Sequence, residues 1–304
     1  MPEKKIAIFI PCYNAARTIE ATLHSVEESV RQFGSPIPVY IYDDGSKDNS
    51  LEIARKIWKN TSVLYIEQNS VNMGERRTTN RAFESFYHKY DWVLIIHADD
   101  IVKPEWLSEM YRQIQLVDDG KCFTVWSSFD SLDDDTGVSV PGDNTGAVSM
   151  KERTPAEKKQ YIVKLYCSWH ISGAAINLRL FQQLKGFDVS MAQFGDTDFF
   201  ARGLLADFTD VYLSRTLTFY RVIVNSVSSV SVKTNRDIRE IEYIIDKFRG
   251  ILDARERGRL RKNLRVLSLR RAGRWLIRLD VSNFFFCINV VSRTFTDNKN
   301  SIPQ

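Results

Sequence analysis

The stretch "DWVLIIHADDIVKPEWL", Asp91 to Leu107, decides how the rest of the chain is read. Trp92 to Ile96 is an apolar run of strand length; it breaks into His97-Ala98-Asp99-Asp100 before Pro104 opens a helical pattern. Adjacent carboxylates repel, and removing them from water is costly unless a positive charge lies beside them. A core strand ending in two acids is therefore either a solvated turn or a holder for a cation.

Upstream, short apolar runs alternate with helical patterns. Ile6–Ile10, Val39–Tyr42 and Val63–Ile66 read as strands, and Cys122–Trp126 closes the series. Between them, Ile19, Leu23, Val26 and Val30 share one helix face, as do Leu51, Ala54 and Ile57, then Trp106, Met110 and Ile114; residues 77–87 also read as helical. This alternation predicts an α/β fold, a mostly parallel sheet with helices on both faces. In such a sheet ligands bind beyond the carboxyl ends of the strands. Four strand ends here deliver Pro11-Cys12-Tyr13-Asn14, Asp43-Asp44-Gly45-Ser46, Asn69 with Asn72-Met73-Gly74, and His97-Ala98-Asp99-Asp100 to one rim. Each cluster alone is ordinary turn chemistry. Together they define a site.

Residues 127–154 lose all periodicity and read as a long loop or lid, with Asp133-Asp134-Asp135 a solvated acidic turn. A second block follows, from "SGAAINLRLFQQLKGFDVSMAQFGDTDFFARGLLA" to the strand-like "VYLSRTLTFYRVIVNSVS". The division expected is one α/β domain over 1–235, in two halves (1–126 and 127–235), then a basic helical extension over 236–304. Between Lys247 and Arg278 twelve cations face only Asp253 and Glu256. With the aromatic "NFFFCINVVSRTF" that follows, 247–295 reads as a packed helix or as a patch for an anionic membrane surface. A net charge of +4 carries no global nucleic-acid signature, and none is expected as a partner. The four cysteines have no metal-site spacing and no apolar stretch is long enough to span a bilayer, so a cytoplasmic protein, peripheral on the inner membrane face, is the expectation.

The segments "IAIFIPCYNAARTIEATLHSV", "IYDDGSKDNSLEIA", "NMGERRTTNRAFE", "DWVLIIHADD" and "LKGFDVSMAQFGDTDFFARGL", in this order, resemble the family 2 glycosyltransferases of GT-A fold. The resemblance implies a Rossmann-like sheet and an inverting, metal-assisted transfer from a nucleoside diphosphate sugar, UDP-linked, to a glycan or lipid-linked glycan. By that resemblance Pro11, Tyr13 and Asn14 lie against the nucleotide, and Asp43 and Asp44 read base and ribose. Asn72 and Gly74 approach the nucleoside, and Arg221 covers the diphosphate. Asp99, with Asp100 and His97, implies a Mn²⁺ or Mg²⁺ site. Asp196 resembles the catalytic base, and its residue-level alternative is a helix N-cap. Trp169, His170 and Asp198 fall on the acceptor side. The chain departs from the family pattern at His97 and Gly195, where carboxylates are usual, and at Thr79, where Arg is usual, leaving Arg76 or Arg77 to substitute.

Other readings are a glycosidase, a sugar-nucleotide nucleotidyltransferase, a dehydrogenase and a degenerate glycosyltransferase kept for binding. The first does not explain two acid pairs on strand ends. The next two want a Gly-rich phosphate loop after the first strand, which Pro11–Ala16 lacks. The last is motivated by His97 and Gly195.

Overall fold

A computed structural model describes residues 3–59, 63–134, 136–150, 153–165, 169–223 and 227–296. The chain opens with the alternation read from its periodicity: β1 (Ile6–Cys12), α1 (Ile19–Phe33), β2 (Val39–Asp43), α2 (Ser50–Ile57), β3 (Leu64–Gln68), α3 (Glu75–Phe86) and β4 (Trp92–Ile95). A two-residue β5 (Ile101–Val102), α4 (Trp106–Leu116) and a long β6 (Cys122–Asp133) follow, then the short β7 (Ser139–Val140) and β8 (Val148–Met150). After α5 (Pro155–Lys164) come β9 (Ala175–Asn177), α6 (Leu178–Gln183), α7 (Gly195–Leu205) and β10 (Thr209–Val222). The chain then turns helical, with α8 (Val227–Lys233), α9 (Arg236–Lys247), α10 (Ala254–Ile277) and α11 (Val281–Thr296).

The sheet runs in the order β3-β2-β1-β4-β9-β6-β10-β5, with β7 and β8 off this path. The first four strands are parallel, β6 and β10 are parallel to each other, and β9 lies antiparallel between β4 and β6. Strand order reverses at β1, which has β2 on one side and β4 on the other. Connections leave that point on opposite sides and open a crevice at the carboxyl ends of β1 and β4, where open α/β sheets bind ligands.

Side chains alternate across each strand, and here both faces are apolar. Ile8, Ile10, Ile41 and Leu94 pack with Leu23 and Val26 of α1 and with Trp106 and Met110 of α4. Phe9 points the other way, its ring 5.3 Å from Phe83 of α3, and Phe83 lies 4.9 Å from Phe181 of α6. Strand ends are thus clamped between two packed layers.

Residues 127–154 correct the expectation of a structureless loop. β6 stays paired with β10 as far as Asp133↔Val222, but its residues pass from buried to half-buried after Ser128, so the apolar signal fades while the ladder continues. Asp133 accepts from Thr136 N and Oγ1 at 2.8 and 2.7 Å and so closes a turn; Asp134 pairs with Arg221 at 3.4 Å, and Asp135 lies outside the described residues.

Contacts group the chain into two units: residues 1–153 with 168–224, and residues 154–167 with 225–304. In the second, α10 begins with a capping box between Asp253 and Glu256 and packs along α11. Leu260, Leu264 and Trp275 are buried, Leu267 is half-buried, and Leu279, on the same apolar seam by spacing, is exposed. Arg271 is buried too: its guanidinium donates to Asp237 Oδ2 at 2.8 Å, beside Asn235, which accepts from Trp275 Nε1 at 3.1 Å.

Candidate active site

The loop after β1 is fixed by the loop after β2. Asn14, at φ 48°, donates its N–H to Ser46 Oγ at 2.8 Å and accepts from Lys47 N at 2.8 Å. Tyr13 stands half in solvent at the mouth of the crevice, and Pro11 is buried within β1. Asp43 holds Ser46, whose N–H donates to Oδ2 at 2.9 Å and whose hydroxyl donates to Oδ1; Gln68 Nε2 also donates to it at 3.1 Å. Asp44 is committed to the protein more fully. It accepts from Asn69 Nδ2 at 3.0 Å and from Met73 N, Gly74 N and Thr78 Oγ1 at 2.8 Å each. Its part in the site is to set the 72–78 turn. Gly45, at φ +74°, lies against that same turn, and a Cβ there would fall 2.7 Å from the Val71 carbonyl carbon.

At the end of β4, ligand atoms of His97, Asp99 and Asp100 lie within 4.8 Å of one another. Asp100 is buried; Oδ1 accepts the Arg221 N–H at 2.9 Å, and Oδ2 has no partner among the described residues. Burial and the neighbouring Asp100 charge push the Asp99 carboxyl up to about 6. Both effects disfavour the negative charge, and the neighbouring His97 ring offsets them only in part. Arg221, expected to cover a diphosphate, braces the end of β4 here: its guanidinium donates to the carbonyls of Asp99 and, at 3.1 Å, of Thr18.

A second line of charge starts at His97. Its Nε2 lies 3.3 Å from Glu75 Oε1, Glu75 Oε1 accepts from Arg76 Nη1 at 2.9 Å, and Arg76 Nη2 pairs with Asp196 Oδ1. Burial alone would lower the His97 ring's pKa, but the Glu75 carboxylate outweighs it and pushes it up to about 9. Burial likewise opposes charge on Glu75, yet Arg76 and then His97 hold it well below the usual carboxylate range. Asp196 sits in the first turn of α7, where the helix dipole favours a carboxylate. It is not the N-cap: that position is Phe194, with no side-chain cap.

Gly195 gains a reason here. A Cβ on it would lie 2.7 Å from Arg76 Nε, so the guanidinium fills the room that a larger residue would need. Phe187 supports the guanidinium from beneath, 5.1 Å from Cζ to ring centre. Of the two arginines that the sequence left open, Arg76 is the one the fold brings inward.

Two residues expected on the acceptor side prove to be core. Trp169 is buried, stacks on Phe200 at 5.6 Å and donates to Thr124 Oγ1 at 3.1 Å. Asp198 is buried against Arg202, 2.7 Å away. Their burial leaves no surface for an acceptor. His170 stays half-buried, between the rings of Phe129 (4.9 Å) and Tyr220 (4.8 Å), with the His97 ring 6.4 Å away. Tyr220 was not singled out in the sequence; burial and then the charges of Asp100, Asp99 and Asp196 raise its pKa.

A nucleotide-type crevice with acids at a switch point defines a class, and the comparisons give the family. Residues 7–179, more than half of the chain, match the family model described as glycosyl transferase family 2; the chain belongs to this family and is a glycosyltransferase. Among curated proteins it is similar to an uncharacterized glycosyltransferase of Mycoplasma genitalium, at 31% identity over 38% of this chain and 39% of that protein. It is similar to glycosyltransferase GlyG of Streptococcus pneumoniae at 25%, over 45% and 44%. A poly-beta-1,6-N-acetyl-D-glucosamine synthase of Staphylococcus aureus matches at 31% over 32% and 22%. Each alignment therefore spans less than half of the relative's length. Among solved structures, the fold matches residues 1–349 of S. aureus TarS with a TM-score of 0.57 at 16% identity, covering 95% of this chain and 91% of that one. The same TarS fragment has been solved with UDP and with UDP-GlcNAc. The GT-A sheet is thus shared at low identity.

Proposed function

We propose that this chain moves a sugar from a uridine diphosphate sugar to a hydroxyl of a glycan or lipid-linked glycan, with inversion, in surface polysaccharide synthesis at the inner face of the cell membrane. The observation that carries the reading is the meeting, at the end of β4, of half-buried Asp99, His97 and a buried Asp100 oxygen unpartnered among the described residues, with Asp196 of α7 joined to His97 through Arg76 and Glu75. The UDP complexes of the TarS fragment support the donor, and the synthase relative supports the polysaccharide product. Tyr13, Asn14, Asp43, Asn72 and Gly74 line or shape the nucleotide end, with Asp44 and Arg221 bracing it.

A sugar hydroxyl is a weak nucleophile, so a carboxylate must take its proton as it attacks the anomeric carbon. Asp196 is that base: it stands on a rigid helix start, and Arg76 aims it. One base acting opposite the leaving group means a single displacement and an inverted anomeric centre. The donor set at the other end fits a divalent cation, because Asp100 Oδ2 is buried with no partner among the described residues and Asp99 is penalised for its charge. Asp99 and Asp100 would hold it; His97, kept protonated by Glu75 in this structure, would add nitrogen only on giving up that proton, and the mixed set would then suit Mn²⁺ better than Mg²⁺. Such a cation supplies charge neutralisation for the departing diphosphate.

Calorimetry of UDP binding tests this part directly. UDP is expected to bind with Mn²⁺ present and to weaken at least about tenfold in chelator or in Asp99→Asn, the loss of one charge-assisted contact. Equal affinity in all three conditions would refute the metal-assisted donor site.

A further inference from the structure

The α10–α11 hairpin presents to solvent a combination that its own packing does not use. One side of α10 buries Leu260, Leu264 and Trp275. The other side shows apolar residues again: Val266 and Leu269 are 39% and 49% exposed, and the numbers climb along the helix to 59% at Leu276 and 86% at Ile277. Past the helix end, Leu279 is 84% exposed in a left-handed conformation (φ 57°) and Val281 is 63% exposed. These exposed apolar side chains gather where the two helices turn, with the exposed Arg278 among them.

The same face carries cations. At 100° per residue Arg259, Lys262 and Arg270 fall within about 40° of Val266, and Arg274 borders them. All four are exposed, and none has an ion pair to a described carboxylate. Asp280, the acid at the tip, is spent on the start of α11, accepting from Asn283 N at 3.0 Å and Nδ2 at 2.9 Å.

We infer that this hairpin tip docks on an anionic phospholipid surface, with Ile277 and Leu279 entering the acyl boundary and the cations of α10 lying at the phosphates. Charge selects this occupant. A second copy paired through the same face would set these cations against themselves, as two-fold symmetry requires. Nucleic acid would reward the cations but leave the apolar tip in water. An anionic bilayer rewards both. The attachment is peripheral, since no helix among the described residues is long and apolar enough to cross a membrane. The inference stands on the second unit alone and is independent of the transfer chemistry.

Flotation of the full chain with vesicles tests it. The wild-type chain is expected to float with vesicles of phosphatidylcholine and phosphatidylglycerol and to stay behind with phosphatidylcholine alone. Removing Lys262, Arg270 and Arg274 together (each to Gln) should weaken binding about a hundredfold, at roughly fivefold per charge near an anionic surface. Ile277→Ser with Leu279→Ser should weaken it at least about tenfold through lost burial. Circular dichroism and UDP binding should match wild type in both variants, which separates loss of docking from loss of fold. Equal flotation on neutral vesicles, failure of the wild-type chain to float, or flotation unchanged by both variants would overturn the inference. So would sedimentation showing a dimer that the tip substitutions dissolve.

Discussion

Gly195 and Arg76 are best understood as one feature. A glycine in the first turn of α7 gives up helix propensity, and the return is space for a guanidinium that bridges Glu75 and Asp196. Adding a methyl group forces Arg76 aside, so Gly195→Ala should destabilise the protein by about 1–3 kcal/mol, the usual cost of overpacking. In Arg76→Ala the clash is gone, and the same methyl should cost at least ~0.5 kcal/mol less, a coupling measured by urea unfolding of the four-member cycle. Strict additivity would show that the two residues do not share the space. This pair also marks where sequence reading stopped. His97, Asp99 and Asp100 are legible because one strand delivers them, and Asp196 because its motif is local. Glu75–Arg76–Asp196 joins α3 to α7 through space, and no spacing along the chain announces it. Trp169 shows the reverse: an aromatic beside a histidine invites a binding role, whereas the ring is stacked inside the core.

At the scale of elements, periodicity located β1 to β4 and the helices between them because β1, β2 and β4 are buried along their whole length, β3 is half-buried at Leu64 and Ile66, and each helix has one buried face. It failed for β6, whose outer half is held by its ladder to β10 rather than by apolar burial. The basic C-terminal helices divide in the same way. Counting charge makes α10 look solvated throughout, yet Arg271 is 5% exposed and bonded to Asp237. Truncating one member of a buried pair leaves the other charge uncompensated, so Arg271→Ala should cost about 3–5 kcal/mol in urea unfolding. A loss below ~1 kcal/mol would mean that water already reaches the pair. Exposed neighbours such as Arg270 and Arg274 lack such partners among the described residues, and their face is free for a different task.

For the molecule as a whole, strand order matters more than any single motif. The reversal at β1 places the ends of β1 and β4 beside each other, and turns carrying Tyr13-Asn14 and His97–Asp100 therefore share one crevice. Sequence alternation implied a parallel sheet but not the antiparallel β9, three residues long, that joins β4 to β6 and lets the second half of the unit complete the site. The family match and the TarS fold agree with this layout, and the central claim becomes chemical: Asp196 takes the acceptor proton. Release of UDP from whichever candidate uridine diphosphate sugar the wild type turns over in Mn²⁺, measured for wild type and Asp196→Asn alongside UDP binding on the same preparations, tests that claim most directly. The account predicts release slowed by about 10²–10⁴-fold with binding unchanged, the usual contribution of a general base. Release by Asp196→Asn at the wild-type rate would contradict it.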